Sequence, residues 1–246
     1  MSGSSPIPGR GARSYLNLVR AKRIDGLIVI DPRSDDPALQ GLIAGDFPLV
    51  VIGNLPGVTV SSVDVDNLAG ARRAVQHLLD CGHTRIACIT NEPLPSFTVT
   101  EERLLGYRDA LEAAGIPYDE ALVRMGAYTP ESGFSTMASL LEEARPRPTA
   151  VFVASDVVAF GAMAAIQGRA LRIPRDMAVA GFDDVPLARF VNPPLTTMQI
   201  PTVELGHRAG ELLHSLVVEQ EEAGRRILLD TELVVRASSG PRQGPV

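Results

Sequence analysis

The chain has 246 residues, enough for one large domain or two modest lobes with a sizeable buried core. Its formal net charge is −6, from 23 Lys and Arg against 29 Asp and Glu, which excludes a whole-chain nucleic-acid footprint. No apolar run reaches the roughly 18 residues of a membrane span, and the first 14 residues lack the apolar core of a secretory signal, so a cytoplasmic location with no membrane partner is expected.

Residues 1–13, rich in Gly, Ser, Pro and Arg, are expected to be a disordered tail. The last turns of a helix follow at 15–21. Two short apolar strands come next, 26–30 (GLIVI) and 48–52 (PLVVI), flanking a helix over 37–44. An extended segment at 58–63 leads into the most informative stretch, VDVDNLAGARRAVQHLLDCGHTRIACIT at 63–90. Asp66 and Asn67 can cap a helix there. Leu68, Ala71, Val75, Leu78 and Leu79 give it one apolar face, and Gly82 supplies the left-handed residue that stops it. A buried strand over 86–89 comes after a polar turn. Helices are expected at 103–114, with Leu104, Tyr107, Leu111 and Ala114 on one face, and at 131–141, with Phe134, Met137 and Leu141 together. The strand 150–154 (AVFVA) precedes a helix over 156–166, and 177–182 (MAVAGF) is another strand. A long helix covers 203–218, and two extended segments close the chain at 226–230 and 232–235.

Strands alternating with helices across short loops imply an α/β fold with parallel, doubly wound sheets. Ligands of such sheets sit at the carboxyl ends of the strands. The loops that matter therefore begin at Asn91, Ser155 and Asp183, each directly after an apolar run.

The remaining residues select no other chemistry. Cys81 and Cys88 lack metal-ligand or redox spacing and read as reduced, packed thiols. His77, His83, His207 and His214 show no ligand spacing either, so no metal and no cofactor are expected. No GxSxG, GxGxxG or P-loop motif occurs, which leaves an α/β enzyme without a recognisable nucleophile.

Five segments, VDNLAGARRAVQHLLDCGHTRIA, ERLLGYRDAL, PTAVFVASDVVAFGAMAA, VAGFDDVPLARFVNPPLTTM and VELGHRAGELL, resemble in order and spacing the lactose-repressor (LacI) family of bacterial transcription regulators. The likeness runs from about residue 14 to residue 239 and concerns the effector-binding core, which has the two-lobed fold of type I periplasmic binding proteins. It implies that 14–62 and 195–224 form a remnant of an amino-terminal lobe, that 63–194 and 225–240 form the carboxyl-terminal lobe, and that 241–246 are a tail. It also implies that this chain starts after the family's helix-turn-helix and first strand, from a truncated gene or a start placed too far downstream. Segment 26–30 would then have an open edge, and operator DNA would be bound only through a headpiece that these 246 residues lack.

The partners implied are a small-molecule effector, a sugar or nucleoside-like compound, and a second copy in a homodimer. A solute-binding protein of a transporter is the alternative with the same fold. By resemblance, Arg103 and Asp183 contact the effector. A guanidinium offers a fixed fork of donors, and a carboxylate at a strand end accepts hydroxyl hydrogen bonds. The alternative is that Arg103 is a surface residue pairing with Glu101 or Glu102, and Asp183 a loop cap. Residues 96–100 (SFTVT) lie where family members add contacts. Asp184 reads as structural. Ser155 and Tyr128 match ligand positions in some relatives, Tyr128 being also readable as an ordinary half-buried tyrosine. Asp156 reads as the N-cap of the following helix that also lines the cleft, and Phe182 as a pocket wall or a core residue. At Ala170 the family has Gly, so either the helix stops early at Gly168 or Ala170 bears strain.

Overall fold

The computed structural model describes residues 12–30, 32–33, 35–91 and 98–242. They fall into two compact units: one from the described residues up to Asp64 with Thr98 and Thr202–Leu229, the other from those of Val65–Pro93, Val99–Pro201 and Asp230–Val246.

In the first unit, helix α1 (Ala12–Arg20) precedes strand β1 (Leu27–Ile30), helix α2 (Pro37–Ala44), and strands β2 (Leu49–Ile52) and β3 (Ser61–Val65). Strands β1 and β2 pair in parallel from Leu27↔Leu49 to Ile30↔Ile52, and β2 pairs with β3 in parallel. Leu39, Leu49, Val51, Leu55 and Val60 form the core. Among the described residues β1 has only β2 beside it, so one side of the strand is an open edge, and Ile30 is 67% exposed.

The second unit is built on a six-stranded sheet. Helix α3 (Asn67–Asp80) leads to strand β4 (Ile86–Asn91), α4 (Thr98–Ala113), β5 (Val123–Gly126), α5 (Pro130–Glu143), β6 (Ala150–Val153), α6 (Asp156–Gln167), β7 (Ala178–Asp183) and β8 (Thr196–Gln199). Helix α7 (Thr202–His214) and strand β9 (Arg226–Leu229) belong to the first unit, and β10 (Glu232–Val234) returns to the second. The sheet order is β10-β8-β7-β6-β4-β5, with β4 through β8 parallel and β10 antiparallel to β8.

Strand alternation sorts the apolar side chains into two layers. Ala87, Ile89, Val151, Val153 and Val179 face Met137, Leu140, Val158 and Ala162. Ile86, Cys88, Phe152, Ala180 and Phe182 face Ala71, Val75, Leu78, Tyr107 and Leu111. A central parallel sheet buries both faces, which is why these strands read as continuous apolar runs.

Three expected boundaries differ from the structure, the first by two residues, since 63 and 64 stay with the first unit. Residues 195–201 belong to the second unit, because β8 hydrogen-bonds beside β7. Residues 225–229 belong to the first, because β9 joins the four-stranded sheet beside β3. The chain changes sheet between two adjacent extended segments, and nothing in their composition marks the crossing. Strands β5 and β8 are additional to the expected set. Strand β8 reads TTMQ, polar in sequence but with three of its four residues buried. Thr196 satisfies its hydroxyl with Arg236 O and Ser239 Oγ, and Thr197 donates to Asp156. The helix expected over 203–218 ends at His214 and continues as one π turn, Ser215–Glu219. Phe134 lies on the outer side of α5 and is 46% exposed, away from Met137 and Leu141.

At the other open point, α6 runs to Gln167 with Gly168 in the right-handed region, and Ala170 takes the left-handed conformation at φ 57°. The cost of a Cβ there is about 1 kcal/mol.

Candidate functional site

The candidate site lies within the second unit, at the carboxyl ends of β6 and β7, the first turn of α3 and the second turn of α4. Asp66 caps α3, its carboxylate accepting from Ala69 N at 2.8 Å. Asn67, the first residue of the helix, is therefore not its cap. Helix α4 starts at Thr98, five residues earlier than its apolar face suggests, so Arg103 stands in its second turn and not at its start. Gly106 lies one turn further on. A Cβ there would meet Leu68 O at 2.3 Å and Arg72 N at 2.9 Å, so only glycine lets α4 press against the backbone of α3. The Gly in RLLGY thus sets the depth at which Arg103 enters the unit.

Arg103 is 6% exposed and its charge is surrounded by named partners. Its Nε donates to Asn67 Oδ1 at 2.9 Å. Its Nη1 donates to Ala154 O at 2.6 Å and to Asp183 Oδ1 at 3.0 Å. The guanidinium carbon stands 3.6 Å from the centre of the Phe182 ring, a cation–π contact made in a desolvated setting. Three of the five N–H donors are thereby engaged, and Nη2 makes no hydrogen bond among the described residues.

Asp183 closes β7 with a side chain 25% exposed. Its second oxygen accepts from Ser155 Oγ at 3.2 Å. Its backbone is held at φ 117° and that of Asp184 at φ 54°, both in the region L-residues avoid. Such strain costs of order 1–3 kcal/mol and persists where the surroundings over-determine it, commonly at functional sites. Asp184 serves the scaffold, with Arg236 Nη2 2.7 Å from one oxygen and Gln199 Nε2 donating to the other.

Of the six residues singled out in the sequence, the structure brings together Arg103, Asp183 and Ser155. Tyr128 is 41% exposed and its hydroxyl lies 3.1 Å from Thr100 Oγ1 on α4. One reading changes: Asp156 is not the N-cap of α6. Ser155 holds that position without a side-chain cap, and Asp156 is fully buried. Its oxygens accept from Thr197 Oγ1 at 2.6 Å and Val185 N at 3.0 Å, so it pins β8 and the loop after β7. Phe182 is also fully buried, and its ring supports Arg103 instead of walling an open pocket. Within the segment 96–100, residues 96 and 97 lie outside the described residues, as do 1–11 and 243–246 at the ends.

Sequence reasoning read Asn67 only as a capping residue. Its signal was its place directly after Asp66: a cap needs one such residue, and a second, buried at 1% exposure, needs a partner. Thr90 and Asn91 finish β4 with side-chain oxygens, Oγ1 and Oδ1, that are buried and have no hydrogen-bond partner among the described residues. Cys88 is wholly buried and Cys81 partly exposed. Burial pushes both thiols up from their ordinary value. Among the described residues no group of His, Cys, Asp or Glu is arranged to hold a metal ion, and no helix is long and apolar enough to cross a membrane.

Residues 75–239 match the model of the periplasmic binding protein-like domain. The HTH-type transcriptional regulator CelR of Thermobifida fusca is 39% identical over 240 residues, covering 96% of this chain and 69% of that protein. A structure of a CelR–cellobiose complex superimposes with a TM-score of 0.87 at 37% identity, covering 94% of this chain and 70% of the other. A regulatory protein of the LacI family from Chloroflexus aggregans gives 0.86 at 34% identity, with 96% and 85% covered. The chain belongs to the LacI family. It spans about two thirds of the length of CelR, and the LacI-family match takes in both compact units.

The buried ion pair makes a direct prediction. Asp183→Asn leaves the Arg103 charge uncompensated and lowers stability by about 3 kcal/mol. Adding Arg103→Met removes that charge and recovers part of the loss. Urea unfolding of the wild type and the single and double variants checks this; equal or greater loss in the double variant contradicts it.

Burial raises the carboxyl of Asp156 to about 7, with the bond from Thr197 opposing and the nearby charge of Asp183 reinforcing the shift. A folded value above the unfolded one means that this group's contribution is fully present below the unfolded value and is lost as pH rises toward 7. The stability advantage of wild type over Asp156→Asn should therefore shrink between pH 5 and pH 8. Taking the difference cancels the opposing contribution of His77 and His83, which burial keeps neutral to lower pH. A difference that stays flat or grows with pH disproves the assignment.

Proposed function

We propose that these residues form the effector-binding core of a ligand-responsive transcription regulator. In this reading Arg103, Asp183, Ser155 and Tyr128 contact the effector, while Phe182 and Asp156 hold the contacting groups in place. The core binds and does not transform its ligand. That the similar proteins are transcriptional regulators supports this over a solute-binding protein of the same fold. Operator recognition is assigned to the helix-turn-helix of such regulators and not to the residues described above.

The observation that carries the ligand class is the donor count on Arg103. A carboxylate or phosphate is gripped by two parallel N–H groups on neighbouring nitrogens. Nε and both protons of Nη1 already serve Asn67, Ala154 and Asp183, so every such pair is broken. The Asp183 carboxylate also cancels the guanidinium charge locally. What remains is one doubly protonated nitrogen beside a partly exposed carboxylate and a serine hydroxyl. That set suits a neutral compound with several hydroxyls, each able to donate to Asp183 and accept from Nη2. CelR was solved with cellobiose, which makes a neutral disaccharide the first compound to try.

Thermal-shift titration should show a concentration-dependent rise in melting temperature with cellobiose, free pentoses and hexoses or nucleosides, for at least one of them. The corresponding sugar phosphates should give none. A shift with phosphorylated or carboxylated sugars alone would overturn the neutral-ligand reading, as would an unchanged response in Asp183→Ala.

We also infer that the core acts as a homodimer. Leu187 and Phe190, in the short turn after β7, are 53% and 76% exposed on a loop otherwise held to the sheet by Ala188. Adjacent exposed apolar side chains of this size favour coverage by a partner surface. Phe190→Glu should convert a dimeric species to monomer in sedimentation velocity; an unchanged dimer would place the interface elsewhere.

A further inference from the structure

Resting on the ligand reading above, we propose that Asn67 is a positioning residue for effector binding: it sets the plane of the Arg103 guanidinium and keeps Nη2 turned to the ligand. Asn67 is 1% exposed, and its two polar ends have distinct tasks. Oδ1 accepts from Arg103 Nε, and Nδ2 donates to Val65 O at 3.2 Å. The reverse orientation of the amide would set donor against donor at Arg103 and acceptor against acceptor at Val65, so the surroundings dictate which way it points.

Helix α3 adds a second hold one turn on. A Cβ on Gly70 would lie 2.8 Å from Phe182 Cζ and 2.7 Å from Thr231 Oγ1. The absence of a side chain there lets the Phe182 ring slide beneath the guanidinium. Asn67 thus fixes the edge of the group and Phe182 its face.

The hold matters because Arg103 has another arrangement within reach. Asp183 carries two oxygens, and a guanidinium prefers a two-bond fork on a carboxylate to the single bond it makes here. Turning about the Cδ–Nε bond would bring Nη1 and Nη2 together onto Asp183, consuming the donor and the acceptor the ligand needs. The bond from Nε to Asn67 opposes that turn. Loss of Asn67 therefore weakens ligand binding by strengthening an internal ion pair, a consequence that simple loss of packing would not have.

The test is spectroscopic first. In unliganded protein, the Arg103 Nε–Hε resonance, assigned by its disappearance in Arg103→Lys, should be slow to exchange with solvent. It should shift and exchange faster in Asn67→Ala. Asn67→Asp, whose carboxylate can accept the same bond, should restore slow exchange even if it is less stable. Cellobiose titrated calorimetrically into the three proteins should bind Asn67→Ala about ten- to a hundredfold more weakly than wild type, with Asn67→Asp in between. An unchanged resonance in Asn67→Ala, or a lowered melting temperature with full affinity, overturns the proposal. Failure of cellobiose to bind wild type would count against the ligand reading, whereas the exchange measurement judges the hold on Arg103 by itself.

Discussion

A guanidinium taken out of water is the constraint to which the second unit answers. Placing a charge in a low-dielectric interior costs several kcal/mol unless hydrogen bonds and an opposite charge replace its hydration. Arg103 receives a side-chain amide, a backbone carbonyl, a carboxylate and an aromatic face. These come from α3, the end of β6 and the end of β7, so one side chain ties together three elements far apart in sequence. The strained backbone of Asp183 is understandable in that light. The carboxylate must reach both Arg103 and Ser155, and the energy of satisfying a buried cation exceeds that of a positive φ.

Close helix packing makes this arrangement possible. Gly106 allows α4 to sit against the peptide backbone of α3, which brings Arg103 within bonding distance of Asn67. Gly70 leaves room for the Phe182 ring that supports the guanidinium. Below the site, Asp156 binds β8 and the loop after β7 into one piece. The groups proposed to meet the effector therefore rest on regular elements, as recognition by a few directed hydrogen bonds requires. Arg103 is only partly satisfied: enough donors are spent to hold it still, and Nη2 makes no hydrogen bond among the described residues.

Much of this was legible from residues alone. The apolar runs of β4, β6 and β7 and the helical spacing of α3 and α5 follow from period and burial, so the parallel α/β architecture was open to direct reading. The strand ends to inspect follow from the same architecture. Ser155 and Asp183 stood out because each ends an apolar run with chemistry such a run does not need, whereas Arg103, inside α4, was marked only by the resemblance of its RLLGY segment. Strand β8 was not, since TTMQ is buried only because Ser239, Arg236 and Asp156 satisfy its hydroxyls. Local spacing cannot show partners more than forty residues away. The misplaced unit boundary near residue 225 has the same origin, because pairing across a sheet, and not composition, decides where β9 belongs.

By itself the sequence determined the alternation of strand and helix and the left-handed stop at Gly82, because these depend on local backbone preference and side-chain type. Tertiary structure decided which polar residues are partly exposed and which are buried in the frame. Asp156 and Phe182 turned inward, and Asn67 passed from capping to holding an arginine. Burial and hydrogen-bond satisfaction are properties of surroundings assembled from distant segments, and no stretch of chain carries them on its own.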